Sequence, residues 1–190
     1  MEKQVGPRPL LSISIFVSIF PCFTVGLYAD FEPEQTPDNL MPYPPKLEEE
    51  IGYLQELLGA SAVFPPPCFV TMNAEFAAYE SRSSLTVTFP VTENLLNPVG
   101  AMQGGFITAA LDNVLGPLSY LAMKNPASTL DIHTQYIRAV SAGDTLTVTA
   151  RVVSMGPATL VMTAEARNVR GKLVATATAN AITVGKGSRL

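Results

Sequence analysis

From residue 103 to residue 123 the chain carries a single charged side chain, Asp112. Such a stretch reads as one long helix, and its apolar content requires that most of its surface be covered. On either side the pattern changes to alternation. Residues 84–89 set Leu85, Val87 and Phe89 against Ser84, Thr86 and Thr88, the period of a half-buried strand. Residues 74–79 read as a strand before it, and 128–138, 145–155, 158–168 and 172–184 as strands after the helix. Gly143-Asp144, Gly156-Pro157 and Arg170-Gly171 supply the turns between the later strands. Strands joined by such short turns pair antiparallel, and a lone apolar helix among them requires the sheet to curl around it. The expected class is α+β, an antiparallel sheet wrapped around a central helix.

A chain of 190 residues, 47% of them apolar, has room for one such core. Its front section differs in composition. Eleven of the sixteen prolines lie at or before Pro67, and residues 1–50 hold three bases against eight acids. The domain organisation expected is an apolar leader over 1–29, a Pro-rich acidic linker over 30–45, and the folded domain over 46–190. That domain opens with an amphipathic helix over 46–58, whose Leu47, Ile51, Leu54 and Leu58 share one face. Residues 10–29 form an apolar run behind Lys3 and Arg8, the arrangement of a signal or a short membrane anchor. Ser12, Ser14, Ser18, Pro21 and Gly26 interrupt it, and no small-x-small cleavage site precedes Asp30. It stands either as a targeting segment or as an upstream extension that does not affect the fold. Membrane contact is expected only if the run is retained; otherwise the expected location is cytoplasmic.

The formal charge of −4 argues against nucleic acid as a partner. Two cysteines, Cys22 and Cys68, and the single His133 exclude a disulfide scaffold and a Cys/His zinc site. No metal or cofactor is expected. Chemistry must then come from carboxylates, amides, hydroxyls or backbone.

Gly104 and Gly105 open the long helix, where unobstructed N–H groups and the helix dipole favour a developing oxyanion. A tight turn or close packing would equally explain two glycines. Asp112, expected as a buried carboxylate among Ala109, Ala110, Leu111, Val114 and Leu115, is the second candidate, as a general base or nucleophile for attack on a carbonyl, set against a purely hydrogen-bonded structural carboxylate. Gly105, Thr108, Asp112, Gly116 and Ser119 recur at spacings of three or four and define one small, polar helix face. Gly104 and Asp112 are about 12 Å apart along a helix rising about 1.5 Å per residue, too far for both to reach one carbonyl. A two-fold dimer would bring the glycine end of one subunit to the aspartate of the other.

The motif Asn97-x-x-Gly100-x-x-Gln103-Gly104-Gly105-x6-Asp112 resembles the helix motif of hotdog-fold acyl-coenzyme A thioesterases of the PaaI-like family. Thr129-Leu130-Asp131, Tyr136-Ile137-Arg138, Gly143-Asp144 and the run Gly171-Lys172-Leu173-Val174-Ala175 support the resemblance, which covers about residues 74–184. It implies a hotdog fold, a homodimer with a homotetramer as the larger alternative, and hydrolysis of acyl-CoA to free acid and CoA. It also implies roles. The Gly104 N–H would polarise the thioester carbonyl, Asp112 would activate water or attack directly, Asn97 would position carbonyl or water, and Thr129 would hold the water. Gln103 stands where many relatives carry histidine; its amide can donate a hydrogen bond but cannot shuttle protons.

Gly105 and Phe106 are expected to border the substrate, with Leu111 and Leu115 as further pocket wall, and Arg138 to meet coenzyme A phosphates. His133 is read as a surface or satisfied core histidine. Two other readings stay in play: a hotdog hydratase or dehydratase, disfavoured by Gln103, and a non-catalytic module that binds acyl groups or only dimerises.

Overall fold

The computed structural model describes residues 43–59 and 62–184. The apolar run over 10–29 and most of the Pro-rich segment lie outside them. Helix α1 (Pro45–Leu58) buries Leu47, Ile51 and Leu54, while Leu58 is half-buried. A short helix α2 (Pro67–Thr71), which the sequence reading did not expect, starts at the last of three consecutive prolines. It places Phe69 against Phe76, with ring centroids 5.1 Å apart.

The sheet is antiparallel throughout, in the order β1-β2-β4-β5-β6-β3. Its strands are β1 (Glu75–Glu80), β2 (Ser84–Pro90), β3 (Ala127–Tyr136), β4 (Thr145–Met155), β5 (Thr159–Arg167) and β6 (Leu173–Thr183). Helix α3 (Gly104–Met123) leaves β2 and delivers the chain to β3, so β3 lies at the sheet edge beyond β6.

The inner face of the sheet explains how α3 is held. Leu85, Val87 and Phe89 of β2 and Leu146 and Val148 of β4 present bulk, whereas β6 presents Ala175, Ala177, Ala179 and Ala181. Into this trough α3 packs Ile107, Ala110, Leu111, Val114, Leu115, Leu118 and Leu121, at spacings of three and four. Each fully buried leucine contributes about 1.5–3 kcal/mol. The helix is long and apolar enough to cross a bilayer, yet its apolar stripe is covered by the sheet.

The C-terminal carbonyls of α3 are met by side chains. Arg82 Nε donates to Ala122 O at 2.9 Å, and Tyr53 Oη donates to Lys124 O at 2.9 Å. The latter bond ties α1 to the helix end, and Lys124 also forms an ion pair with Glu50 of α1. Desolvation lowers the Lys124 ammonium pKa. These contacts supply the partners that the last turn of any helix lacks internally.

Candidate active site

The head of α3 is pinned from two sides. Gln103 N–H donates to Leu95 O at 2.8 Å, at the end of the 3-10 turn Glu93–Leu95, and Met102 N–H donates to Val140 O at 2.8 Å. Asn97 builds the loop between them: its Oδ1 accepts both Val99 N–H (3.0 Å) and Ala101 N–H (3.1 Å). The oxygen of Asn97 is therefore engaged in shaping the loop, while its Nδ2 has no acceptor among the described residues.

Gln103 is the helix N-cap, with extended backbone (φ −66°, ψ 136°) and its Oε1 accepting Phe106 N–H at 3.3 Å. A β-carbon on Gly105 would stand 2.7 Å from that oxygen, so a larger residue there would displace the capping side chain. Gly104 and Gly105 N–H groups have no acceptor among the described residues. They remain available at the positive end of the helix dipole.

Asp112 lies two turns further along α3, and the structure corrects its expected environment. The helix is buried on its sheet face only, and Asp112 is exposed on the other, together with Gly105 and half-buried Thr108, Asn113, Gly116 and Tyr120. Enough protein still surrounds the carboxyl for desolvation to raise its pKa. Burial raises the Tyr120 pKa, and the negative charge of Asp112 adds to it, consistent with a shared helix side. Ser119 departs from the expected polar face: it is buried, and its hydroxyl donates back to Gly116 O at 2.6 Å. Leu111 and Leu115, expected as pocket wall, face the sheet and belong to the core.

Thr129 owes its orientation to a bulge that no sequence pattern announces. The register of β3 on β6 shifts between Thr129 and Asp131, so Thr129 pairs with Ala181 and Ile132 with Ala179, both inward-facing alanines. Without the extra residue Leu130, alternation would turn Thr129 away from α3. Thr129 stands seven residues before Tyr136, roughly 20 Å along the strand. Tyr136 touches the head of α3, as a β-carbon on Gly104 would lie 3.2 Å from its ring. One protomer therefore keeps Thr129 remote from Gly104.

Phe106 is 39% exposed beside the helix head. Arg138, just beyond β3, donates from Nη1 to Leu173 O and is otherwise exposed. His133 pairs with Thr178 on the outer sheet face, where a groove of about 560 Å³ also holds Arg151, Glu165 and Arg167. That groove contains none of the expected site residues. Among the described residues no cluster of three or more His, Cys, Asp or Glu side chains is placed to hold a metal ion.

The sequence profile of the thioesterase superfamily matches residues 99–175, the span from the helix head to the start of β6. Among solved structures, a phenylacetic acid degradation-related protein of Ralstonia eutropha is 32% identical, with 69% of this chain and 98% of that one covered at a TM-score of 0.59. A Streptococcus mutans protein bound to acetyl CoA is 27% identical, with 66% and 94% covered at a TM-score of 0.57. The Escherichia coli PaaI protein, from the phenylacetic acid degradation operon, shares the fold at 23% identity, covering 74% and 95% at a TM-score of 0.64. No curated protein matches. The antiparallel sheet around α3, the match across the α3 region and the similarity to the Ralstonia protein make one conclusion: the chain belongs to the PaaI-like thioesterases of the hotdog fold.

Proposed function

We propose that the protein hydrolyses acyl-coenzyme A thioesters to free acid and CoA in a two-fold dimer, each site combining the α3 head of one protomer with Asp112 of the other. The observation that carries this reading is the separation of Gly104 and Asp112 along one helix, about 12 Å at about 1.5 Å per residue. Thioester hydrolysis is the activity of the family, and the similarity to a protein with bound acetyl CoA supports coenzyme A as the carrier.

Two features support the dimer. Strand β3 is a sheet edge, with one side of its backbone free to pair, and the α3 face beside it is small and polar. Two α3 helices related by a two-fold axis bring Gly104 to the partner's Asp112 when the axis passes beside Thr108, the midpoint between them.

In such a site the free Gly104 and Gly105 N–H groups receive the thioester oxygen. Gln103, its oxygen committed to the cap, turns Nε2 toward the same region as a further donor. Water attacks the carbonyl carbon while the Asp112 carboxylate takes its proton. The tetrahedral oxyanion is held by the amides until the C–S bond breaks, and the thiolate leaves with the proton returned from Asp112. Thr129, on the Asp112 side, orients the water; Nδ2 of Asn97 borders the carbonyl. Phe106 lines the acyl side, and Arg138 meets the coenzyme A phosphates with the part of its guanidinium not bonded to Leu173. A cytoplasmic location, with access to the main coenzyme A pool, completes the reading, and a larger homotetramer is its natural extension.

The deciding experiment is thiol release from a panel of acyl-CoA esters by the full chain, with sedimentation to determine assembly. Turnover lost in Asp112→Asn with the dimer intact is the expected result. An inactive wild type that still binds the esters would favour the non-catalytic acyl-binding module.

A further inference from the structure

One aromatic side chain at the head of α3 has no part in the hydrolysis just described. Tyr136 is the last inward residue of β3, paired with Ala175. A β-carbon on Gly104 would stand 3.2 Å from its Cζ and 3.4 Å from its Cε1, so the ring lies directly on the first helical turn. Its hydroxyl is 2.6 Å from Thr108 Oγ1. Thr108 donates its one hydroxyl proton to Thr134 Oγ1 at 3.2 Å, which makes Tyr136 the donor in the shorter contact. The phenol is thus fixed at both ends, by the helix backbone under its ring and by a chain of hydroxyls at its tip. It is nevertheless 56% exposed.

We propose that Tyr136 is a specificity-determining residue, the aromatic wall on which the acyl group of a thioester held at Gly104 rests. This rests on the hydrolysis reading above. The acyl group, rather than the pantetheine arm, is assigned by polarity. With its proton given to Thr108, the phenol presents mainly ring carbon to the cleft, which matches hydrocarbon and offers no donor to the pantetheine amides. Gly104 then has two reasons to be glycine: an unobstructed N–H and room for this ring.

The test compares wild type, Tyr136→Ala, Tyr136→Leu and Tyr136→Phe on acetyl-, isobutyryl- and phenylacetyl-CoA. Melting and sedimentation verify that each variant is folded. The expected result for Tyr136→Ala is a KM raised about tenfold for phenylacetyl-CoA, less for isobutyryl-CoA and least for acetyl-CoA, with kcat changed far less. Tyr136→Phe, which keeps the ring, should retain the wild-type order, and Tyr136→Leu should fall between. A loss equal for all three esters, no change, or a gain for the larger groups would overturn the proposal. If the wild type releases no thiol from any ester, the hydrolysis reading fails by itself. The wall is then judged by calorimetric binding of the same esters, with the same order of losses expected and absence of binding overturning it.

Discussion

Gln103 Oε1 accepts the Phe106 amide proton at 3.3 Å, and this one contact decides which end of the glutamine side chain is engaged by the helix head. The oxygen caps the helix, and the Nε2 donor has no acceptor among the described residues, which leaves it free for a thioester in the proposed site. A histidine at this position would divide these tasks differently, with one ring nitrogen to donate and one to accept.

Gln103→Glu separates capping from donation. Glutamate keeps an acceptor for Phe106 N–H and adds a charge favoured by the helix dipole, so thermal stability should hold or rise. It removes the donor and sets a negative charge beside the oxyanion, so kcat should fall at least about tenfold. Gln103→Ala should instead destabilise the fold by about 0.5–2 kcal/mol in chemical denaturation, as N-cap losses do. Unchanged kcat in the glutamate variant would remove Gln103 from the chemistry.

The composite site predicts complementation between dead subunits. Gly104→Pro deletes the amide proton at a first helical position whose preceding residue, Gln103, has the extended backbone a proline needs, and its ring also pushes Tyr136 aside, so the helix head of that subunit is dead on both counts. Mixed with Asp112→Asn subunits at equal amounts and allowed to re-assort, half the dimers become mixed, each with one intact site. About a quarter of wild-type activity should return. If each protomer carried its own complete site, nothing would be recovered.

The pH dependence follows from the raised pKa of Asp112. A general base works only when ionised, so kcat/KM should climb with pH through an inflection above the ordinary aspartate value of 3.8, and level off beyond it. Stability runs the opposite way. With the folded pKa above the unfolded one, the native state binds more protons between the two values, so Asp112 lowers stability as pH rises through that window. Asp112→Asn should therefore melt higher than wild type at neutral pH, with the difference fading below pH 3.8. An equal or lower melting point for the asparagine variant at neutral pH would contradict the desolvation of this carboxyl.

Asn97 offers a similar separation. Asn97→Ala leaves the Val99 and Ala101 N–H groups without their side-chain acceptor, at about 1 kcal/mol for each hydrogen bond, and should lower stability accordingly. Asn97→Asp keeps the acceptor and should keep the loop. Activity lost in the aspartate variant at unchanged stability would identify Nδ2 as a substrate contact; activity retained would leave Asn97 with the loop alone.

Much of this architecture was legible before any coordinates. All six strands were located to within a residue or two, β2 by its alternation, which a strand with one covered face carries whatever its partners, and the later ones with the help of the turn residues between them. The apolar stretch carried α3 straight through Pro117, where covering by the sheet outweighs the missing backbone bond to residue 113. Helix α2 stayed hidden, since five residues are too few to show a period. The bulge at Leu130 was likewise invisible, being a property of pairing with β6 rather than of β3 itself.

By itself the sequence determined the α+β class, the central helix and the identity of the groups at its head, because these follow from local periodicity and residue chemistry. Tertiary structure decided what those groups face. It turned Asp112 outward where a buried carboxylate was expected, consigned Leu111, Leu115 and Ser119 to the interior, committed one end of Gln103 to capping, and laid Tyr136 over Gly104. Those outcomes depend on which side of a helix a sheet covers and on the register between strands distant in the chain, neither of which a single segment encodes.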